Sequence, residues 1–160
     1  MSLKSLPIPP IPEEIARATH AVFPRGNVFI QVRDMLGAIY SDEAFADLFP
    51  THGQPALAPW RLALVTVFQF MEGLTDRQAA EAVRDRLAWK YARSLERTDA
   101  GFDPTVLSEF RARLVKGGAE RRLLDLLLER CREGGWRNRR RASKNRLYAC
   151  RSFDPRPESN

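Results

Sequence analysis

The sequence predicts an all-α fold: a compact multi-helix domain with a helix-turn-helix-like pair and a disordered, basic C-terminal tail. Three observations lead to this prediction. Apolar residues recur at helical spacing, as in Val28, Val32 and Leu36. Capping side chains precede most apolar runs, and glycine or proline follows them. Beyond Trp136 the periodicity is lost and arginine becomes abundant.

Proline and glycine divide the first part of the chain. Four prolines within residues 3–12 lack backbone donors and fix φ, so this arm is expected to be extended. A helix over residues 13–23 follows it. Asn27 is a favourable N-cap for a second helix that runs through Tyr40. A short third helix is predicted over residues 41–49.

The segment WRLALVTVFQFMEG, residues 60–73, is apolar on nearly all sides. A helix of this kind is buried on most of its faces, so we predict it to be the central core helix. The β-branched and aromatic residues of VTVFQF leave a strand as the alternative. The length of the segment favours the helix.

Three more helices are predicted in the second half. Thr75 and Gln78 form a capping box that opens a helix over residues 76–95. An Asp-Pro pair opens the next one, residues 104–116, with the Asp as N-cap. The last helix covers residues 119–133. The inward residues are expected to be Val106, Phe110 and Leu114 in the first of these last two helices, and Leu123, Leu124, Leu127 and Leu128 in the second.

The excess positive charge is confined to the C-terminus. Residues 134–160 hold 8 basic and 2 acidic side chains, which accounts for the whole net charge of +6. The body of the chain is therefore electrostatically balanced, and net charge alone does not indicate a nucleic-acid partner.

Several functional classes are not supported. The two histidines and the two cysteines lie outside any metal-site or nucleophile motif, and no glycine-rich phosphate loop occurs. An active site within this chain, a cofactor and a bound metal are therefore not expected. No apolar run is long enough for a membrane span or a signal peptide, so a cytoplasmic protein without membrane contact is predicted.

The helices that begin at Thr75 and Asp103 could form a helix-turn-helix-like reader of DNA. In such modules the second helix enters the major groove and the first contacts the backbone. The alternative is that these charged faces are only solvated, and the linker between the helices is long for a compact module. The candidate DNA-binding residues are Arg77, Gln78, Arg84, Thr105, Ser108, Arg111, Arg113 and Lys116.

Three stretches of the second half resemble one known family. They read GLTDRQAAEAVRDRLAWKYA, GFDPTVLSEFRARL and LLDLLLERCREGGW. With the earlier segment over residues 28–74, they are similar to the N-terminal domain of bacterial DDE-type insertion-sequence transposases, called transposase InsH N-terminal. The resemblance spans residues 15–136.

The resemblance implies a function, and this sequence also departs from the family pattern at one place. In that family the helical domain precedes an RNase H-like domain whose Asp, Asp and Glu residues bind two divalent metal ions and cut DNA. The present domain would then bind double-stranded DNA at the terminal inverted repeats, as a homo-oligomer or with full-length transposase. After Trp136, however, the expected segment like Arg-Thr-Asp-Ser-Thr-His-Val, with the first catalytic carboxylate, is missing.

The missing segment can be recovered in another reading frame. Codons permitted for Lys144–Cys150 read Arg-Thr-Asp-Ser-Thr-His-Val when shifted by one base, and those for residues 156–160 give Val-Leu-Asn-Arg. We therefore predict an extended Pro-rich arm (1–12), a helical domain (13–136) and an Arg-rich tail (137–160) that is a frameshift product. A genuine basic tail that binds phosphates is the alternative.

Three functional interpretations follow. The leading one is a non-catalytic, DNA-binding fragment of a transposase, truncated before the catalytic domain and involved in DNA transposition. The second is the first half of an active transposase made by programmed frameshifting. The third is a module that assembles the transposase through its Leu-rich last helix, without specific DNA contact.

Overall fold

The computed structural model describes residues 2–53 and 55–134, and every regular element within them is helical. The predicted all-α class is confirmed. None of the described helices is long and apolar enough to cross a membrane. The predicted tail, residues 137–160, lies outside the described residues.

The elements are α1 (Glu13–Val22), α2 (Val28–Leu36), a 3-10 helix (Glu43–Leu48), α3 (Pro59–Glu72), α4 (Asp76–Asp85), α5 (Leu87–Ala92), α6 (Thr105–Lys116) and α7 (Glu120–Glu133).

Helix α2 begins as predicted but ends earlier. The Asn27 side chain accepts hydrogen bonds from the backbone N–H groups of Phe29 and Ile30, at 3.1 and 3.0 Å. The helix does not reach Tyr40, because Gly37 adopts φ 62° and ψ −138° and turns the chain away. Glycine takes up such a conformation readily, whereas a Cβ atom would oppose it. The predicted end of this helix was therefore wrong.

Helix α3 contributes to the core, as the sequence predicted, and packs against α4 and α6. Pro59 opens it, and Gly73 closes it in the left-handed conformation with φ 66°. The strand alternative for this segment was wrong. Only half of the helix is buried, which is less than its apolar character predicted, since Phe70 is 89% and Met71 45% exposed. The buried residues are Pro59, Trp60, Leu62, Ala63, Leu64, Val65 and Phe68.

The predicted helix over residues 76–95 is broken into α4 and α5. The break lies at Arg86, whose φ of −90° and ψ of 113° are not helical. It brings the Trp89 ring to 5.7 Å from that of Phe29 and 5.4 Å from that of Phe68, between centroids. The burial of three aromatic rings outweighs the net loss of about 1 kcal/mol for an interrupted helical hydrogen bond.

Helix α6 packs much as the sequence predicted. Phe110 and Leu114 are buried. The third buried position is Leu107, while Val106 is only half-buried at the edge of the core. The predicted inner face was therefore correct in its main contacts and wrong by one position at its N-terminal end.

The predicted apolar stripe of α7 is only partly correct. Leu124 and Leu128 are 57% and 43% exposed, so half of the stripe does not face the core. The inner face is turned about the helix axis relative to the prediction. The residues of α7 that pack against the core are Leu123, Leu126, Leu127 and Cys131.

The N-terminal arm, from Ser2 to Pro12, contains no helix and is held against the helices. The backbone N–H of Ala56 donates to the Ser2 carbonyl at 2.8 Å. The Ser5 hydroxyl donates to the Glu43 carboxylate at 2.7 Å. The arm is therefore fixed to the loop before α3 and to the start of the 3-10 helix.

Replacing Phe68 by Ala should lower the free energy of unfolding by about 3–5 kcal/mol, because a fully buried ring is removed and a cavity remains. Leu124→Ala should cost less than about 0.5 kcal/mol, because this side chain is 57% exposed. Urea unfolding followed by circular dichroism measures both. Equal losses in the two variants would contradict the packing of α3 and α7.

Candidate nucleic-acid interface

The start of α4 carries two of the predicted contact residues, Arg77 and Gln78. The predicted capping box is present: the Gln78 N–H donates to the Thr75 hydroxyl at 3.3 Å, and the Thr75 N–H donates to Gln78 Oε1 at 2.9 Å. The Thr75 hydroxyl also donates to Oε1, at 3.1 Å. Oε1 is therefore engaged by the helix start, and the Nε2 group is the part of Gln78 left for an external partner.

The start of α6 engages both predicted hydroxyls. The N-cap residue is Pro104, one position after the predicted Asp103. The Asp103 carboxylate still binds the helix start, since it accepts from the Thr105 hydroxyl at 2.7 Å and from the Thr105 N–H at 2.9 Å. These bonds, the hydroxyl bond first, hold the pKa of Asp103 below its usual range. The Ser108 hydroxyl donates to the Thr105 carbonyl at 2.7 Å. Thr105 and Ser108 therefore keep their oxygen lone pairs, but not their protons, for a further partner.

A bidentate ion pair joins α4 to α6. Arg111 donates through Nη1 and Nη2 to the two carboxylate oxygens of Asp76, at 2.9 and 2.6 Å. Gln69 of α3 donates to the same carboxylate at 2.7 Å. Arg111, and then Gln69, hold the pKa of Asp76 below its usual range against the opposing effect of burial. The candidate DNA-binding residue Arg111 thus fixes the two helices relative to each other.

Two more of the predicted arginines are engaged within the fold. Arg84 Nε donates to the Ala100 carbonyl at 3.1 Å. The Arg113 guanidinium lies over the Phe49 ring, 5.0 Å from its centroid. A guanidinium stacked in this way keeps its edge donors, so Arg113 remains able to bind a phosphate.

Arg77 and Lys116 are the predicted cations that stay free. Both side chains are exposed, and neither forms an ion pair with any residue in the ranges 2–53 and 55–134. No described carboxylate contacts either charge directly, so both side chains are able to bind an external phosphate.

Helices α4 and α6 contact each other, but they are not consecutive. Helix α5 and the loop over residues 93–104 lie between them along the chain. A compact helix-turn-helix joins its two helices by a turn of about three or four residues. The helix-turn-helix-like interpretation of this pair therefore stays a prediction.

The part of the chain that is described contains no group of three His, Cys, Asp or Glu side chains arranged to hold a metal ion. Each of the two histidines contacts another side chain of the fold. The His20 ring packs edge-on against Tyr91, with 5.3 Å between centroids, and the His52 ring hydrogen-bonds to the Thr51 hydroxyl at 2.9 Å. Helices α4 and α6 carry both signs of charge. Their basic residues are Arg77, Arg84, Arg111, Arg113 and Lys116, and their acidic residues are Asp76, Glu81, Asp85 and Glu109.

Residues 17–113, more than half of the chain, match the family model described as Transposase domain (DUF772). The chain belongs to the DUF772 transposase domain family. The match runs from α1 into α6, so it includes all of α4 and all but the last turn of α6. Membership in this family indicates a role in transposition. No curated protein and no solved structure matches the chain.

Asp76 and Gln69 organise this part of the DUF772 transposase domain, and neither was predicted from the sequence. The neighbouring sequence indicates only that Asp76 is an acidic residue in the first turn of a helix. Its partner Arg111 lies 35 positions further along the chain, and no local spacing indicates such a contact. Gln69 lies in a segment whose main sequence signal is its run of apolar residues.

The pair of Asp76 and Arg111 predicts an acid-sensitive contribution to the stability of the domain. Because the pKa of Asp76 is lower in the folded state, the unfolded chain, with an Asp pKa of about 3.9, takes up the proton more readily. The stabilisation is therefore complete above about pH 4 and is lost as the pH falls through the folded pKa.

Unfolding in urea at a series of pH values measures this contribution. Arg111→Met should flatten the loss of stability below about pH 4, because the carboxylate loses its charged partner. Arg113→Met, on the same helix but without a carboxylate partner, is the matched control and should keep the original pH dependence. An unchanged profile in Arg111→Met would contradict the role of the pair.

Proposed function

We propose that this chain is a DNA-binding N-terminal fragment of a DDE-type insertion-sequence transposase, which recognises the terminal inverted repeats of its element and lacks catalytic residues of its own. The observation that carries the proposal is the family match over residues 17–113, because a transposase must bind the ends of its element. Cutting and joining of DNA would require a separate catalytic domain.

The geometry of α6 supports DNA contact through its outer side. Leu107 and Phe110 are buried and fix the rotation of the helix, so Thr105, Ser108 and Lys116 lie on the exposed side. A rigid helix that offers hydroxyl and ammonium groups can contact base edges and phosphates in the major groove. The ion pair with α4 keeps this helix in one orientation.

The charge distribution divides the expected binding into two parts. The described helices are nearly neutral overall, and several of their arginines are engaged inside the fold. In this proposal, Arg77 and Lys116 make the specific contacts together with the polar side chains of the same helices, Gln78, Thr105 and Ser108. The basic residues in the range 137–160 would supply affinity that depends on salt and is indifferent to sequence.

Binding of the full chain to duplexes with the terminal repeat, or with a scrambled sequence, tests this proposal. Replacing both Arg77 and Lys116 by Gln should weaken binding and reduce the dependence of log K on log salt by about 0.9 for each phosphate that is no longer neutralised. Replacing Arg17 and Arg25 by Gln is the matched control, because these exposed cations on α1 and in the next loop are also unpaired within the described residues.

The proposal requires a preference for the repeat that the control variant keeps and the first variant loses. Equal effects of the two double substitutions would mean that only net charge matters, and would overturn the interface on α4 and α6. A chain that ends at Trp136 separates the contribution of the tail. If binding disappears in that shorter chain, the helices do not contact DNA by themselves.

A second candidate function is assembly of the transposase through α7. Leu124 and Leu128 are one helical turn apart and are 57% and 43% exposed, although the opposite side of the same helix packs against the core. Two adjacent leucines on an exposed helix face are typical of a contact with a second helix. This observation favours the interpretation of the chain as an oligomerisation module.

The mass of the full chain in solution, measured by light scattering, tests the assembly function. Replacing both Leu124 and Leu128 by Glu should convert an oligomer into a monomer, with little change in unfolding free energy. Phe70→Glu, which replaces an 89% exposed side chain on α3, is the matched control and should leave the mass unchanged. A wild-type chain that is already monomeric would rule this function out.

The interpretation as the first half of a frameshifted enzyme stays a prediction. Expression from the natural coding DNA would yield a second, longer product that carries the catalytic carboxylates. Intact mass measurement detects such a product directly, and its absence would leave the fragment as the functional species.

A further inference from the structure

Four basic side chains surround the C-terminal turn of α5 without forming an ion pair with any described residue. They are Arg33 of α2, Arg61 of α3, Lys90 of α5 and Arg93, which directly follows α5, and we call them the cation cluster. Lys90 and Arg93 are only 3% and 2% exposed. Lys90 Nζ donates to the Asp99 carbonyl at 2.6 Å, so its hydrogen-bond partner is a backbone group and not a carboxylate. Side chains with a charge are almost never buried so fully unless they are paired.

Two members of the cation cluster converge on Ser94. Arg61 donates through Nε to the Arg93 carbonyl at 3.1 Å and through Nη2 to the Ser94 carbonyl at 3.2 Å. Arg33 donates through Nη2 to the Ser94 hydroxyl at 3.0 Å. Ser94 has φ 52°, in the left-handed region that few residues other than glycine adopt. Guanidinium groups from two helices thus meet at one strained turn.

Arg93 lies beneath this turn with unused donors. Its Nε and Nη1 atoms are buried and have no hydrogen-bond partner among the described residues. The guanidinium is stacked on Phe102, 5.4 Å from the ring centroid. Burial, and then the nearby charge of Arg61, lower the pKa of Arg93 to about 9. Buried donors on a charged group are costly to leave without an acceptor.

Nearby carboxylates compensate these charges only at a distance: burial lowers the pKa values of Arg33 and Arg61, and the charges of Asp34, Asp42 and Asp99 oppose this only in part. Asp34, Asp42 and Asp99 lie close to the cation cluster, but each accepts a hydrogen bond from another group, namely the Tyr91 hydroxyl or a backbone N–H. Asp85, which also influences Lys90, is exposed at the end of α4. None of these four carboxylates comes within 4.0 Å of a nitrogen of the cluster.

We propose that the cation cluster is a binding site for a phosphate group, held by the guanidinium groups of Arg33, Arg61 and Arg93. Arg33 and Arg61 are only partly buried and are reached from the surface, whereas Arg93 adds its charge and its unused donors from below. Several guanidinium groups that approach from different directions suit a phosphate as ligand better than a single carboxylate, which offers only two oxygens. The donors of Arg93 are buried, so the side chains around them shift when the anion is fully bound.

Inorganic phosphate is the probe. Thermal unfolding of the full chain is followed while phosphate replaces chloride at constant ionic strength, and calorimetric titration gives the affinity. We expect the Tm to rise with the logarithm of phosphate concentration, which indicates binding to the folded state. Arg61→Met and Arg33→Met should each weaken phosphate binding by about tenfold or more, the loss expected for one hydrogen bond to a charged group.

The matched control is Arg17→Met, which removes an exposed cation on α1 and should leave the phosphate response unchanged. The readout is the shift caused by phosphate, so a general loss of stability in a variant does not obscure it. No phosphate-specific rise in the wild-type chain would overturn the proposal. So would an undiminished rise in both Arg61→Met and Arg33→Met.

A competition experiment identifies the source of the phosphate. Displacement of bound phosphate by duplex DNA assigns the site to a phosphodiester of the DNA backbone, and lack of displacement assigns it to a free phosphate anion. Both outcomes support the site. The double variant Arg77→Gln, Lys116→Gln should keep its phosphate response whatever the result of the DNA-binding test, so the two proposals fail separately.

Discussion

The packing of Trp89 against Phe29 and Phe68 is the constraint on which the rest of the structure depends. The Phe29 and Phe68 centroids are 4.6 Å apart, and Trp89 completes the group with no exposed surface of its own. To reach this position the chain must leave the helical path at Arg86. That single break sets the direction of α5 relative to α4, and therefore places the α5 turn, with its buried cations, against α2 and α3.

Local features of the fold could be predicted from the sequence, because their causes are local. Asn27 and Thr75 cap helices through bonds to backbone groups two or three residues away, and both were predicted. Asp103 bonds to the backbone at the start of α6, although Pro104 is the N-cap residue there. The end of α2 at Gly37 carried a local signal that the helical periodicity beyond it concealed. The break at Arg86 carried none, since it is driven by rings from two other helices.

The face of α7 and the candidate sites show where sequence reasoning stops. Five leucines within six positions of α7 cover slightly more than half of the helix circumference, which is wider than the buried side, so the pattern alone does not select that side. Charged residues present the same difficulty. Whether an arginine is free, as Arg77 is, or engaged, as Arg111 is, depends on a partner far away in the chain.

The end of α7 determines where the polypeptide leaves the described domain. A Cβ atom at Gly134 would lie 3.0 Å from Leu36 Cδ2 and 3.3 Å from the Met35 carbonyl oxygen, so the backbone there sits directly against the end of α2. Any following segment is consequently tethered at one defined point on the surface and departs from beside α2. If a further domain is attached through this point, its connection begins at a fixed position relative to the helices, even when that connection is long.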